Sequence, residues 1–103
     1  MPVNWNDTEE AYKAIVEEAF ELMKRKNSDY GESWKVMRRT SITDQIRVKL
    51  LRIVQIEELE KVGLEPEVSE GKDSELRDII NYAVFHLIKA KQELDQPWVD
   101  GEI

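Results

Sequence analysis

Four acidic side chains in the second half of the chain form two pairs with the spacing of metal ligands. Glu57 and Glu60 stand three positions apart, and the second pair, Glu75 and Asp78, has the same spacing. Residues at that spacing are neighbours on a helix, so each pair presents two carboxylates in one direction. Carboxylate oxygens are ligands that Mg²⁺ prefers, whereas a sequence with no cysteine and one histidine lacks the usual zinc ligands. The spacing therefore predicts a site for Mg²⁺, or for Mn²⁺ in its place, between two helices.

Two basic residues accompany the first acidic pair. On a helical wheel Lys49 lies inside the apolar stripe of its helix, and Arg52 borders that stripe. Bases beside a carboxylate-bound metal favour a phosphate ligand, because ammonium and guanidinium groups donate to phosphate oxygens. Lys26 could reach the same phosphate if the loop after it folds over the site. The simpler alternative is a buried ion pair, for example between Lys49 and Glu57, with no chemistry attached. The stripe consists of Ile42, Ile46, Ile53 and Ile56.

The first acidic pair can be written in more than one register. Glu58 is also acidic, but the helical wheel places it on the side opposite the apolar stripe, where it faces solvent. Glu67 and Glu70, in the acidic segment between the two pairs, are reserve ligands. The wheel therefore favours Glu57 with Glu60 as the inward-facing pair.

Three long helices and one short helical or irregular segment are predicted to position these residues. Their ends follow from cap residues, apolar periodicity, and glycine or proline stops. The first helix is predicted from 6–10 to 24–26, the second from 40–41 to about 62 with Gly63 just past its end, and the third from 73–74 to about 94. Residues 33–38 form the short segment, 27–31 and 64–73 are predicted loops, and 98–103 a short tail. The predicted fold class is all-α.

The third predicted helix is apolar on nearly every side. A helix of that kind is buried, and a chain of three helices needs a second subunit to cover it. The 103 residues are enough for one domain, 1–103, but chains of this size bury only a modest core of their own. We therefore expect a homo-oligomeric helical bundle, most simply a dimer. The residues that cover the remaining directions of this helix are Ile80, Ala83, Val84, Phe85, Leu87 and Ile88.

The charge balance excludes two classes of partner. With 22 acidic and 15 basic residues the chain carries a net charge of −7, which disfavours binding to nucleic-acid polymers and to anionic membranes. No apolar run approaches the ~18 residues of a membrane span, and the first residues lack the pattern of a signal peptide. We expect a soluble, cytoplasmic protein. Trp5, Trp34 and Trp98 are predicted packing residues, and His86 a core or interface residue rather than a base.

The two acidic pairs resemble the motifs of the MazG-type all-α nucleoside triphosphate pyrophosphatase superfamily. In that superfamily Glu-x-x-Glu on one helix is followed, after a spacer, by Glu-x-x-Asp on the next, and residues 57–60 and 75–78 match this order. A closer resemblance is to its small nucleotide-modification-associated branch, over about residues 26–87. That resemblance is carried by Asp29-Tyr30-Gly31, Ser41, Asp44-Gln45, Lys49-x-x-Arg52-Ile53, Ile56-Glu57 and Asn81-Tyr82.

This resemblance implies a helical bundle that forms a dimer or a tetramer, with Mg²⁺ between the acidic helices. It implies hydrolysis of the α–β bond of a (deoxy)nucleoside triphosphate to monophosphate and pyrophosphate. The metal-binding and catalytic residues would be Glu57, Glu60, Glu75 and Asp78, with Lys49 and Arg52 stabilising phosphate charge. Asn81 would contact the sugar or base, and Tyr30 would either stack on the base or anchor a turn. The alternatives are a nucleotide- or metal-binding module without catalysis, and a purely structural oligomer.

Overall fold

The described part of the chain is built of helices alone. The computed structural model describes residues 5–67 and 71–92, without the side chains of Trp5 and Tyr30. Its long helices are α1 (Trp5–Tyr30), α2 (Arg39–Lys61) and α3 (Lys72–Lys91), and a short 3-10 helix, Ser33–Val36, lies between α1 and α2. No strand occurs within 5–67 or 71–92. The predicted class, all-α with three long helices and a short helical segment, is confirmed.

Helix α1 extends beyond its predicted end at residues 24–26. It runs to Tyr30, and Gly31 follows with a φ of +71°. The Gly31 N–H donates to the Asn27 carbonyl at 2.8 Å, which closes the helix with a left-handed cap. The prediction that 27–31 form a loop is therefore wrong. Asn, Ser and Asp are only weak helix breakers, so the helix continues to the glycine that supplies the left-handed conformation.

The other helix ends lie near their predicted positions. Gly63 has a φ of +74° and donates to the Glu60 carbonyl, while the Leu64 N–H donates to the Leu59 carbonyl. These two bonds form a Schellman motif, so Gly63 is the predicted C′ residue. Helix α2 begins at Arg39, one residue before the predicted start. Helix α3 begins at Lys72 after Gly71 and ends at Lys91, before the predicted end near residue 94.

The core lies where α3 packs along α2 and, less extensively, against α1. Trp34 of the 3-10 helix stacks on Phe85 of α3, with ring centroids 4.4 Å apart and planes 3° apart. Ile42 of α2 completes this buried cluster. The isoleucine stripe of α2 faces the core as predicted, because three of its members are buried and the fourth is half-buried. Trp34 is the packing residue that the sequence predicts, while Trp98 and the tail 98–103 lie outside the described residues.

Helix α1 carries an apolar stripe that remains exposed. Tyr12, Ile15, Val16 and Phe20 form this stripe, and all four are exposed, Tyr12 to 70%. Helices α2 and α3 also expose large apolar side chains, among them Leu51 and Leu87. An apolar surface of this extent is typical of an interaction face. Among the described helices, none is both long and apolar enough to cross a membrane.

Candidate functional site

Two carboxylates at the beginning of α3 are almost completely buried. Glu75 is 6% exposed and Asp78 is 4% exposed. Their spacing of three residues places both on one face of α3, as the sequence predicts. A buried carboxylate costs several kcal/mol unless a counter-charge or a metal compensates it. These two residues therefore require cations.

Lys49 of α2 is the cation nearest to both carboxylates. Its Nζ lies 3.3 Å from Glu75 Oε2 and 3.0 Å from Asp78 Oδ2, and its side chain is only 12% exposed. Both contacts are ion pairs by distance, and neither of the two buried oxygens accepts a hydrogen bond. Lys49 thus offsets only one of the two negative charges of the acid pair.

Two further cations approach the pair from its edges. Lys26 of α1 donates from Nζ to Asp78 Oδ1 at 2.8 Å. Arg52 of α2 places its guanidinium 3.8 Å from Glu75 Oε1 and remains largely exposed. Three basic residues from α1 and α2 therefore surround two acids of α3. The sequence predicts each of these five residues as part of the site, and the structure brings them together.

The ion pair that the sequence offers as an alternative has a different partner. The sequence suggests Glu57 of the same helix as the partner of Lys49, but Lys49 pairs across the helix interface with Glu75 and Asp78. The expected partner is wrong because Glu57 lies two turns further along α2 and faces solvent. An ion pair at Lys49 is nevertheless present.

The surrounding charges shift two pKa values in this cluster. Burial raises the pKa of Asp78, but the contacts and charges of Lys26 and Lys49 outweigh burial and hold that pKa below its ordinary value of 3.8. Burial lowers the pKa of Lys49, and the two carboxylates outweigh it, so its pKa lies above 10.5. Both groups are therefore charged at neutral pH.

The first acidic pair lies apart from this cluster. Glu60 forms an ion pair with Lys72 at 2.9 Å, and contact with Glu60, supported by the charge of Glu57, raises the pKa of Lys72. Within 5–67 and 71–92, no three acidic or histidine side chains stand close enough together to hold a metal ion. The predicted cluster of four acids is thus not assembled in the described residues. Of the reserve ligands, Glu67 is exposed and Glu70 lies outside the described residues.

A cavity adjoins the buried acid pair on the side of α1. Its volume is about 330 Å³, at the lower end of the range of small-molecule sites. Its polar lining includes Lys26, Asp78 and Asn81, so it is continuous with the charged cluster. Its apolar lining is formed by Met23, Trp34, Met37, Tyr82 and Phe85. This apolar wall could not be predicted from the sequence, because Trp34 and Phe85 are adjacent only after the 3-10 helix has folded onto α3.

Asn81 and Tyr30 are the remaining predicted substrate-binding residues. The Asn81 side chain donates from Nδ2 to the Ala19 carbonyl at 2.9 Å and so ties α3 to α1. Its predicted contact with sugar or base stays a prediction. The Tyr30 side chain lies outside the described residues, and its backbone forms the last residue of α1. His86 is half-buried on α3.

Comparison with known proteins identifies one family. The model of the family described as nucleotide modification associated domain 1 matches residues 26–90. The matched range contains the whole charged cluster, both acidic pairs, and every residue of the cavity wall except Met23. Neither the comparison with curated proteins nor the comparison with solved structures gave a match.

Proposed function

The chain belongs to the nucleotide modification associated domain 1 family, and on that premise we propose that it is a Mg²⁺-dependent nucleotide pyrophosphohydrolase. It would cleave a (deoxy)nucleoside triphosphate into monophosphate and pyrophosphate. One observation carries this proposal: the buried pair Glu75 and Asp78 has two oxygens without hydrogen bonds, three cations contact the pair, and Asp78 and Lys26 line an adjoining cavity.

The chemistry of the acid pair fits a magnesium ion. Glu75 Oε2 and Asp78 Oδ2 are hard oxygen donors that form ion pairs with Lys49 but no hydrogen bond. Protein-bound Mg²⁺ is often held by one or two carboxylates together with substrate phosphates, so two protein ligands are sufficient. Glu57 and Glu60 remain predicted additional ligands, and Glu60 would first have to leave Lys72. We therefore assign the primary metal contacts to Glu75 and Asp78.

The cavity and its cations suit the remaining parts of a nucleotide. Lys26 and Lys49 carry positive charge to the acid pair, and the exposed Arg52 can reach outward to further phosphate oxygens. The apolar wall containing Trp34 and Tyr82 offers aromatic surface to a base. The predicted stacking of Tyr30 on the base would add to this wall.

Each group of the site has its own role in the proposed hydrolysis. Bound Mg²⁺ would supply neutralisation of phosphate charge and Lewis acidity. Lys49 and Arg52 donate hydrogen bonds to phosphate oxygens, whose negative charge grows on the departing pyrophosphate. A carboxylate of the pair accepts the proton of the attacking water. A bond forms from that water oxygen to the α-phosphorus, the bond from the α-phosphorus to the bridging oxygen breaks, and pyrophosphate leaves.

We infer that a second copy of the chain covers the exposed apolar stripe of α1. The stripe contains Tyr12, Ile15, Val16 and Phe20, all exposed in the single chain. The resemblance to the MazG-type superfamily supports a dimer or a tetramer. We also propose that the chain is related to the MazG-type superfamily and is located in the cytoplasm. We propose further that it binds neither nucleic-acid polymers nor membranes.

A turnover assay with a matched pair of variants tests the activity. The wild-type chain is incubated with a panel of ribo- and deoxynucleoside triphosphates and Mg²⁺, and monophosphate and pyrophosphate are quantified. We expect release from at least one triphosphate, loss of at least about 100-fold in Glu75→Gln, and near wild-type turnover in Glu58→Gln. Glu58 is the control because its side chain is exposed and forms a surface ion pair with Lys61 of the same helix. Absence of pyrophosphate across the panel would refute the enzymatic proposal.

The position of Lys49 favours a second candidate function, a nucleotide-binding module without catalysis. Its ammonium group already occupies the space between the two carboxylates, and together with Lys26 it balances their two charges without a metal. Such a module binds nucleotide with an affinity that chelation of divalent metal does not change, and releases no pyrophosphate. Calorimetric titration of nucleotides with and without EDTA separates the two functions.

A further inference from the structure

The charged cluster holds one positive charge more than the acid pair needs. Lys26, Lys49 and Arg52 face two carboxylates, Glu75 and Asp78. A divalent cation that entered alone between Lys49 and the two carboxylates, whose side chains are at most 12% exposed, would add two further positive charges there. Electrostatic repulsion is least screened in such surroundings, so the cluster as it stands opposes a free metal ion.

Lys49 also obstructs the metal ligands directly. The oxygens without hydrogen bonds, Glu75 Oε2 and Asp78 Oδ2, are the two atoms that its Nζ contacts at 3.3 and 3.0 Å. A metal ion held by both oxygens would have to occupy nearly the same position as the ammonium group. Lysine has a long flexible stem, so Nζ can move away when another anion receives it.

We propose that Lys49 is an internal counter-ion that excludes free divalent cations from Glu75 and Asp78. Its ammonium group moves away from the two carboxylates only when the phosphate of a ligand receives it. The ligand of the site is then a metal–phosphate complex rather than a bare metal or a bare nucleoside. The phosphate supplies a new partner for Lys49 and offsets the excess positive charge, so metal and phosphate bind with positive coupling. Coupling is reciprocal, so each raises the affinity for the other by the same factor. This inference rests on the proposed nucleotide ligand but not on its hydrolysis.

Paramagnetic broadening of backbone amide signals by Mn²⁺ measures metal binding at these residues without reference to activity. In the wild-type chain, we expect Mn²⁺ alone to leave the amides of Glu75 and Asp78 unbroadened at concentrations where an α,β-methylene triphosphate analogue produces broadening. The analogues of the four common deoxynucleotides are tested in turn, and deoxynucleosides without phosphate are the ligand control. The expected coupling is at least about fivefold in Mn²⁺ affinity.

The Lys49→Met variant tests exclusion with metal alone. We expect it to bind Mn²⁺ at least about fivefold more tightly than wild type without any nucleotide. The control is Lys61→Met, which removes a lysine of α2 that forms an exposed ion pair with Glu58. We expect its Mn²⁺ affinity to match that of wild type. Lys49→Arg keeps the positive charge and is also expected to exclude free Mn²⁺.

Three results would overturn the inference. These are tight wild-type binding of Mn²⁺ without phosphate, a Lys49→Met variant that folds and gains no Mn²⁺ affinity, and no Mn²⁺ binding to wild type with any analogue. If Lys49→Met does not fold, the comparison of wild type with and without analogue still decides. Failure of the hydrolase proposal is recognised separately, because coupled Mn²⁺ and analogue binding without pyrophosphate release leaves the role of Lys49 intact.

Discussion

The acid pair of α3 shows how much of a site depends on charges from other elements. Glu75 and Asp78 would be costly to bury alone, and their counter-charges come from α1 and α2. Lys26 and Lys49 hold the pKa of Asp78 below 3.8, which means that folding favours the charged carboxylate. The site residues therefore also contribute to the stability of the fold.

The lowered pKa of Asp78 predicts a specific dependence of stability on pH. Its contribution is fully present above the unfolded pKa and is lost as the pH falls through the lower folded pKa. Replacing Asp78 by Asn should lower the free energy of unfolding by about 1–3 kcal/mol at pH 7, because Lys26 and Lys49 lose a charged partner. The difference from wild type should shrink as the pH falls below about 4.

Urea unfolding in metal-free buffer from pH 7 to pH 2 measures this difference. Asp44→Asn is the control, because Asp44 forms an exposed ion pair with Arg47 within one helix. We expect the control to change stability by no more than about 0.5 kcal/mol. A difference between wild type and Asp78→Asn that stays constant down to pH 2 would contradict the assigned ion pairs.

The helices show which parts of the fold follow from local sequence. The class, the number of helices and the stop at Gly63 could all be predicted, because caps, glycines and apolar periodicity act within a few residues. The end of α1 could not, since the weak breakers before Gly31 compete with continued helix formation. The partner of Lys49 could not either. Which face of α2 meets which face of α3 depends on long-range packing.

The glycine after α2 provides a prediction at this scale. Gly63→Ala should destabilise the chain by about 1–2 kcal/mol, because its φ of +74° is unfavourable for a residue with a Cβ atom. Within residues 5–67 and 71–92, no atom beyond its immediate chain neighbours lies within 4 Å of the position that a Cβ would take, so the cost is conformational rather than a clash. Thermal unfolding should show a lower Tm than for the control Gln55→Ala, an exposed position inside α2. Equal Tm values for the two variants would contradict the Schellman cap.

The described helices expose many large apolar side chains that their own core does not cover. The apolar stripe of α1, formed by Tyr12, Ile15, Val16 and Phe20, is exposed in the single chain. The apolar pattern is therefore informative, but a sequence does not say whether an apolar face meets its own chain or a second copy. We attribute it to a subunit interface.

A charge placed in this stripe should separate the subunits. Ile15→Lys should shift the sedimentation mass from a multiple of the 12.1 kDa chain toward the single chain, because a buried unpaired lysine is costly. Ala14→Lys, an exposed position outside the stripe on the same helix, should retain the wild-type mass. A wild-type chain that sediments as a monomer at micromolar concentration would contradict the interface.

We propose that water attacks the α-phosphorus of a nucleotide at the Glu75–Asp78 pair. Hydrolysis in ¹⁸O-labelled water followed by mass spectrometry tests it most directly, using a triphosphate that the panel identifies. We predict that the label appears in the monophosphate, that pyrophosphate is unlabelled, and that Asp78→Asn forms neither product at a comparable rate. Label in the pyrophosphate, or full activity of Asp78→Asn, would contradict the account.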